Sequence, residues 1–317
     1  MRNKEYTLKD ALFGVELADV YVNSPYDGML FDTGERKIKR IPKFKAVLAQ
    51  DNGYVFAVVT SDYNLITNEA ALELGRLCFK EVFVVTSHKM MKPYNVIMPE
   101  TRSFCHLDFL HAGEKLFPFD NDLWQPYIRI TNSYNRMFAL NFDLGFCRGI
   151  CKNGVIFGKR NIEFKYIHSK RSSDPEIEFS LRAGELSALE KEFTEALFNL
   201  KRFHVPRKVM WALACKVFSQ TLPEHPSKRQ RELLDEKRNA IEDLTGQYFQ
   251  KLGENGYAAL NVLTDFATRP VGMISAEHRI DSLQRQTGDW IEDFITAIDR
   301  RDFTFEAYLG KYVVLVG

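Results

Sequence analysis

The sequence lacks any run of about 18 consecutive apolar residues, the length that a membrane-spanning helix needs, and its opening MRNKEYTLKDALFG lacks the apolar stretch of a signal peptide. A cytosolic location and no membrane partner are expected. Cysteine is scarce: Cys78, Cys105, Cys147, Cys151 and Cys215 make five, an odd number scattered in apolar surroundings. That pattern predicts reduced core thiols in a reducing compartment rather than disulfides. Charge of one sign is also missing, because 43 Lys+Arg against 42 Asp+Glu leave a formal +1. No global field draws the chain to nucleic acid or lipid, and any such affinity must come from local clustering. Walker A, GxGxxG, HExxH and GxSxG patterns are absent, as are repeats and low-complexity tracts. No catalytic residue, metal or cofactor is therefore assigned.

What is there is a globular composition: 317 residues, 45% hydrophobic and 27% charged, enough for one large domain or two ordinary ones. The hydrophobic period divides the chain into a segment 1–42, a β-rich core 43–180 and a helical half 181–317, packed as one α+β unit. In the core, FKAVLAQ, the turn signal Asp51-Asn52-Gly53 and YVFAVVTSDYNLI predict a hairpin with a two-residue turn. A helix follows, NEAALELGRLCFKEV, capped by Asn68 with Leu74, Leu77, Cys78 and Val82 inward. VFVVTS, YNVIMPE, RSFCHLDFL, YIRITNS, MFALNFD, FCRGICK, GVIFG and IEFKYIHS read as further short strands. Lys152-Asn153-Gly154 is a second hairpin turn signal. After residue 180 the period becomes helical: Leu186, Leu189, Phe193, Leu197 and Leu200 form one stripe, Pro206 opens a second helix, and Ser227 caps a third that Gly253 ends.

The neutral total hides two basic blocks. ERKIKRIPKFK carries Arg36, Lys37, Lys39, Arg40, Lys43 and Lys45 against Glu35 alone. From Cys147 to Arg171 the set is Arg148, Lys152, Lys159, Arg160, Lys165, Lys170 and Arg171, with Phe157, Phe164, Tyr166 and His168 interleaved. Cations neutralise phosphates while aromatic faces stack on unpaired bases, so the second block suits single-stranded nucleic acid. The plainer alternative is that sheets carry Lys and Arg on exposed faces against aggregation. Cys147 and Cys151 with His168 invite a metal, but no fourth ligand presents itself. His106 with Asp108, and His111 with Glu114, could act as acid/base pairs; hydrogen-bonded structural histidines are the commoner case.

Three stretches resemble one family. AVLAQDNGYVFAVVTSDYNLITNEAALEL, NSYNRMFALNFDLGFCRGICKNGVIFG with the later His168, and GYAALNVLTDF are similar in order to blocks of the phage and plasmid family designated domain of unknown function 932. The residues that the resemblance marks are Asn68, Asn132, Ser133, Arg148, Cys151, Asn153, Gly154, His168, Asn261 and Thr264. Tyr134-Asn135-Arg136-Met137 departs from the Asp-Gly-Ser that the motif carries after Ser133. No activity is established for that family; the resemblance implies a mobile-element setting in a bacterial cytoplasm. The order hairpin, strands and helix is similar to the sheet-on-helix core of ring-forming annealing proteins. Three functions are open. One is a single-stranded DNA-binding or annealing protein, as a monomer or a homo-oligomer, using Arg148, Lys152, Lys159, Arg160, Lys165, Tyr166, Lys170 and Arg171. Another is an enzyme with a site around Asn132, Arg148 and His168. The third is an assembly or inhibitor protein that binds an acidic partner.

Overall fold

The computed structural model describes residues 5–24, 37–119, 122–149, 153–156, 185–220, 224–273 and 275–316. After a short helix α1 (Leu8–Ala11), strands β1 (Val15–Ser24), β2 (Lys37–Ala49) and β3 (Val55–Thr60) form an antiparallel sheet in the order β1-β2-β3. β2 thus runs straight through residue 43, where the sequence suggested that the core begins. The hairpin between β2 and β3 is present but its turn is longer than two residues. Ala49 N donates to Tyr54 O and Gly53 N to Ala49 O, each at 2.9 Å, so residues 50–53 form the loop. Gly53 takes φ +70°, a region open to glycine without a Cβ clash.

Helix α2 (Asn68–Val82) follows, with one correction: the cap is Thr67, whose side chain accepts from Ala70 N, while Asn68 lies in the first turn and is buried. The helix buries Ala71, Leu72, Gly75, Cys78, Phe79 and Val82 and leaves Leu77 exposed, so the inward stripe is shifted from the expected one. VFVVTS is not a strand. Val82 ends the helix and Phe83 caps it, because the apolar run completes the helix's buried stripe rather than starting a new element.

The second sheet has β4 (Met91–Ile97), β5 (Phe104–His111), β7 (Asp122–Ser133), β8 (Asn141–Arg148) and β9 (Asn153–Ile156) in that order, with β6 (Leu116–Phe119) also pairing β7. MFALNFD and FCRGICK merge into β8 because no chain reversal separates them. Asn153 and Gly154 are strand residues opposite Arg148 and Cys147, not a turn. Helices α3 (Glu185–Arg202), α4 (Met210–Val217), α5 (Lys228–Leu252), α6 (Gly256–Thr268), α7 (Ile280–Ile298) and α8 (Phe305–Leu309) complete the α+β architecture. Ser227 caps α5 through a capping box and Gly253 follows it, as the sequence indicates. One face of the second sheet, carrying Leu107, Phe109, Trp124, Ile128, Ile130, Phe142, Leu144 and Phe146, shares a core with apolar residues of α2, α3, α4 and α6. A separate small core joins the first sheet to Tyr134 through Val15, Val47 and Val59. Among the described residues no helix is long and apolar enough to cross a membrane.

Candidate functional site

The described residues that the motif marks fall into two buried polar joints. At the end of β7, Asn132 Nδ2 donates to Asn68 Oδ1 at 2.9 Å and to Ile66 O at 3.0 Å. Asn68 Nδ2 in turn donates to Ala11 O at 2.8 Å, and its backbone N–H donates to the Tyr134 hydroxyl at 2.8 Å. Ser133 Oγ donates to Phe138 O and accepts from Phe138 N. The departure from the family motif therefore has a physical content. Tyr134 satisfies the first turn of α2 with its hydroxyl while its ring packs 5.7 Å from that of Phe13 and 5.2 Å from that of Phe56, joining the two sheets.

The second joint couples β7, β8 and β9 to α5 and α6. Arg148 Nε donates to Asp122 Oδ1 at 2.6 Å and Nη1 to Asn261 Oδ1 at 2.9 Å. Tyr257 donates to Asp122 and accepts from Trp124 Nε1; burial, followed by the Asp122 charge, leaves its phenol pKa raised although Arg148 pulls it down. Thr264 Oγ1 donates to Asn261 O. Beside it, Asn153 Nδ2 donates to the Tyr248 hydroxyl at 3.1 Å and Tyr248 donates to Asp265 at 2.7 Å. Gly154 is strand backbone at a close approach: a Cβ there would stand 3.0 Å from Tyr127 Oη and 3.3 Å from Gln284 Nε2. Arg148, expected to contact phosphate, is only 7% exposed. It is a structural residue, since a guanidinium taken out of water needs a carboxylate and hydrogen-bond acceptors around it. Nor do the two joints converge. Arg148 pairs with Trp124, and the rise from there along β7 to Asn132 is roughly 26 Å at about 3.3 Å a residue.

The opposite face of the second sheet holds a ladder of charges absent from the sequence expectations. Arg129 binds Asp108 through Nε at 2.7 Å and Nη2 at 2.8 Å, and reaches Asp281 of α7 through Nη1 at 3.2 Å. Arg285 continues the ladder from Asp281, at 2.8 Å, to Asp143. Burial alone would raise the Asp281 carboxyl, but Arg129 and Arg285 help hold it down to about 2. At Asp143 burial prevails over Arg285 and the pKa rises. The signal was a lone Arg in YIRITNS and a lone Asp in LNFDLGF: a single charge in a buried strand requires a partner. The two proposed acid/base pairs do not form. His106 Nδ1 bonds Thr131 Oγ1 at 2.8 Å, not Asp108, and burial, reinforced by the Arg129 charge, lowers its pKa to about 3. His111 Nδ1 accepts from the backbone of Gly113 and Glu114, not from a carboxylic acid.

Burial pushes the Cys105, Cys147 and Cys215 thiols up to about 12 and Cys78 well above its usual value, so none is a reactive thiolate near neutrality. Among the described residues no three His, Cys, Asp or Glu side chains are grouped to hold a metal ion. Lys152, Lys159, Arg160, Lys165, Tyr166, Lys170, Arg171, Cys151 and His168 lie outside the described residues. The first basic block is on view: Lys39, Arg40 and Lys43 are exposed on β2.

No curated protein and no solved structure matches the chain. A family model does, over residues 55–287, which contain the charge ladder and, apart from Ala11, both polar joints. That match extends over well more than half of the sequence, and the chain belongs to the family described as Domain of unknown function (DUF932).

Proposed function

We propose that this protein binds nucleic acid, with a preference for single strands, and makes or breaks no bond in doing so. The observation that carries the reading is the open display of the first basic block: Lys39, Arg40 and Lys43 are exposed on β2. The only described acid bound to that stretch is Asp19, shared by Arg40 at 3.0 Å and Lys45 at 2.6 Å. Cations held at a surface without matching acids neutralise phosphates and release counterions, which is the main source of affinity for nucleic acid. The polar motif residues support the same reading from the other side. Asn68, Asn132, Arg148, Asn153 and Asn261 are bonded to one another or to neighbouring chain in two distant joints, whereas catalysis needs convergent groups in one pocket. The block from Lys152 to Arg171 extends the proposal on its sequence alone. The test is fluorescence anisotropy of labelled single-stranded and duplex oligonucleotides with the purified protein at two salt concentrations. Salt-sensitive binding that favours the single strand is expected; no binding at low salt would overturn the reading.

A further inference from the structure

The first sheet contains a feature that the sequence blocks do not convey. β2 pairs with β3 only over residues 44–48, so residues 37–40 have β1 as their sole strand partner among the described residues and residues 41–43 pair with neither strand. The ladder between β1 and β2 is interrupted: Asp19 pairs with Lys45 and Tyr21 with Arg40, which leaves residues 41–44 opposite Val20 alone. Pro42 lies in that bulge, where a missing N–H does no harm to the ladder, and a bulge bends and twists the strand that carries it. Beyond it, β1 and β2 continue as a two-stranded ribbon.

The side chains of this ribbon are of two kinds. Tyr21 is 57% exposed directly across from Arg40, and Val22 is exposed directly across from Lys39. Ile38, across from Asn23 and on the face of Tyr21 and Arg40, is 73% exposed, whereas Val22 and Lys39 lie on the other face; Phe44, 42% exposed, stands at the bulge where β2 begins to pair with β3. Tyr21 and Ile38, diagonal neighbours beside Arg40 on one face, are unusual on a free surface, because a single exposed apolar side chain is ordinary whereas a contiguous set marks an interaction site. Lys39 and Lys43 carry no ion pair among the described residues. A carboxylate partner would be served by the cations but leaves the rings unexplained. A single-stranded nucleic acid uses both, since its phosphates meet the cations and its unpaired bases stack on aromatic faces.

We propose that the β1–β2 ribbon and the bulge beside it are the surface that holds single-stranded nucleic acid, with Tyr21 and Phe44 as stacking platforms and, on the phosphates, Arg40 from the face of Tyr21, Lys43 from the bulge and Lys39 from the reverse face of the open β2 edge. This rests on the nucleic-acid reading above and places the binding surface at residues outside the Cys147 to Arg171 block. The experiment uses the full chain and a labelled oligo-dT strand, with a mixed-sequence duplex of equal length beside it, at low and moderate salt. The variants are K39E/K43E, Y21A, and a control that reverses two exposed cations of α5, K228E/R229E. Circular dichroism confirms that each is folded; the ribbon residues are exposed, so none is needed for the core. We expect K39E/K43E to weaken oligo-dT binding at least about tenfold and to lower the slope of log affinity against log salt by about 0.7 for each phosphate that is no longer neutralised. Y21A should cost about tenfold while leaving the slope unchanged, and the α5 control should bind like the wild type. Wild-type binding that K39E/K43E and Y21A leave intact would overturn the ribbon assignment and leave the nucleic-acid reading standing. Preference for the duplex would overturn the single-strand assignment, because a two-stranded ribbon also fits a major groove. Failure of the wild type to bind either oligonucleotide would overturn both readings together.

Discussion

Acidification from about pH 7.5 to about pH 5 should destabilise this protein, and His106 should account for a defined share of the loss. His106 is buried with Nδ1 on Thr131 Oγ1, and its pKa falls from 6.5 to about 3 because burial and then the Arg129 charge disfavour the imidazolium. The folded state therefore keeps the ring neutral while the unfolded chain takes up a proton near 6.5. A depressed folded pKa means that the stability is fully present above 6.5 and is lost as pH falls toward 3. Linkage gives a loss of about 2 kcal/mol at about pH 5, rising toward about 5 kcal/mol below about pH 3. Asp281, held down to about 2, adds to the loss only when the pH falls below the ordinary Asp range near 3.8. Asp143, raised above 3.8, works in the opposite sense, and does so as the pH falls toward 3.8 rather than below it. His111 is lowered too, so the wild-type slope alone does not isolate His106. The assay is urea unfolding at four pH values for the wild type and for His106→Gln, whose amide can still bond Thr131. The variant should lose about 2 kcal/mol less than the wild type across this interval, equivalent to roughly 3 °C in midpoint temperature for a chain of this length. Parallel pH profiles for the two proteins would refute the argument.

Two further outcomes follow from the joints. Arg148→Met removes the partner of the buried Asp122 and Asn261 and should cost about 3–5 kcal/mol in chemical denaturation; R148M/D122L should recover a substantial part, and an unchanged single-variant stability would contradict the joint. Gly154→Ala sets a methyl 3.0 Å from Tyr127 Oη and 3.3 Å from Gln284 Nε2 and should cost about 1–3 kcal/mol; a thermal-unfolding midpoint equal to the wild type would show that α7 gives way freely there.

Much of the architecture was legible because periodicity and caps act locally. The helical half follows its apolar stripe, and Ser227 and Gly253 bracket α5 as their chemistry dictates. Where the sequence misled, a long-range partner decided. Asn68 is a good cap in isolation, but Asn132 and Ala11 O claim its side chain, and Thr67 takes the cap. Asn153-Gly154 reads as a turn until Tyr248 and Thr268 hold it against α5 and α6 as strand. Arg148 reads as a surface cation because nothing near it in sequence announces Asp122 or Asn261. The first basic block could be counted from the sequence, but its ribbon depends on where β3 stops pairing, and no residue of β2 announces that.

The joint at Arg148 also bears on how the chain is assembled during synthesis. The bond from Arg148 to Asn261 spans 113 residues and that from Trp124 to Tyr257 spans 133. At a ribosomal pace of about 5–20 residues a second, roughly 6–23 s pass between the emergence of Arg148 and that of Asn261. During that interval the arginine and Asp122 wait for the α6 residues that bond them, although α3, whose Phe193 packs on Trp124 and Phe146, emerges earlier. Pairings this far apart in the chain slow folding and lengthen the time for which an unfinished sheet is open to aggregation.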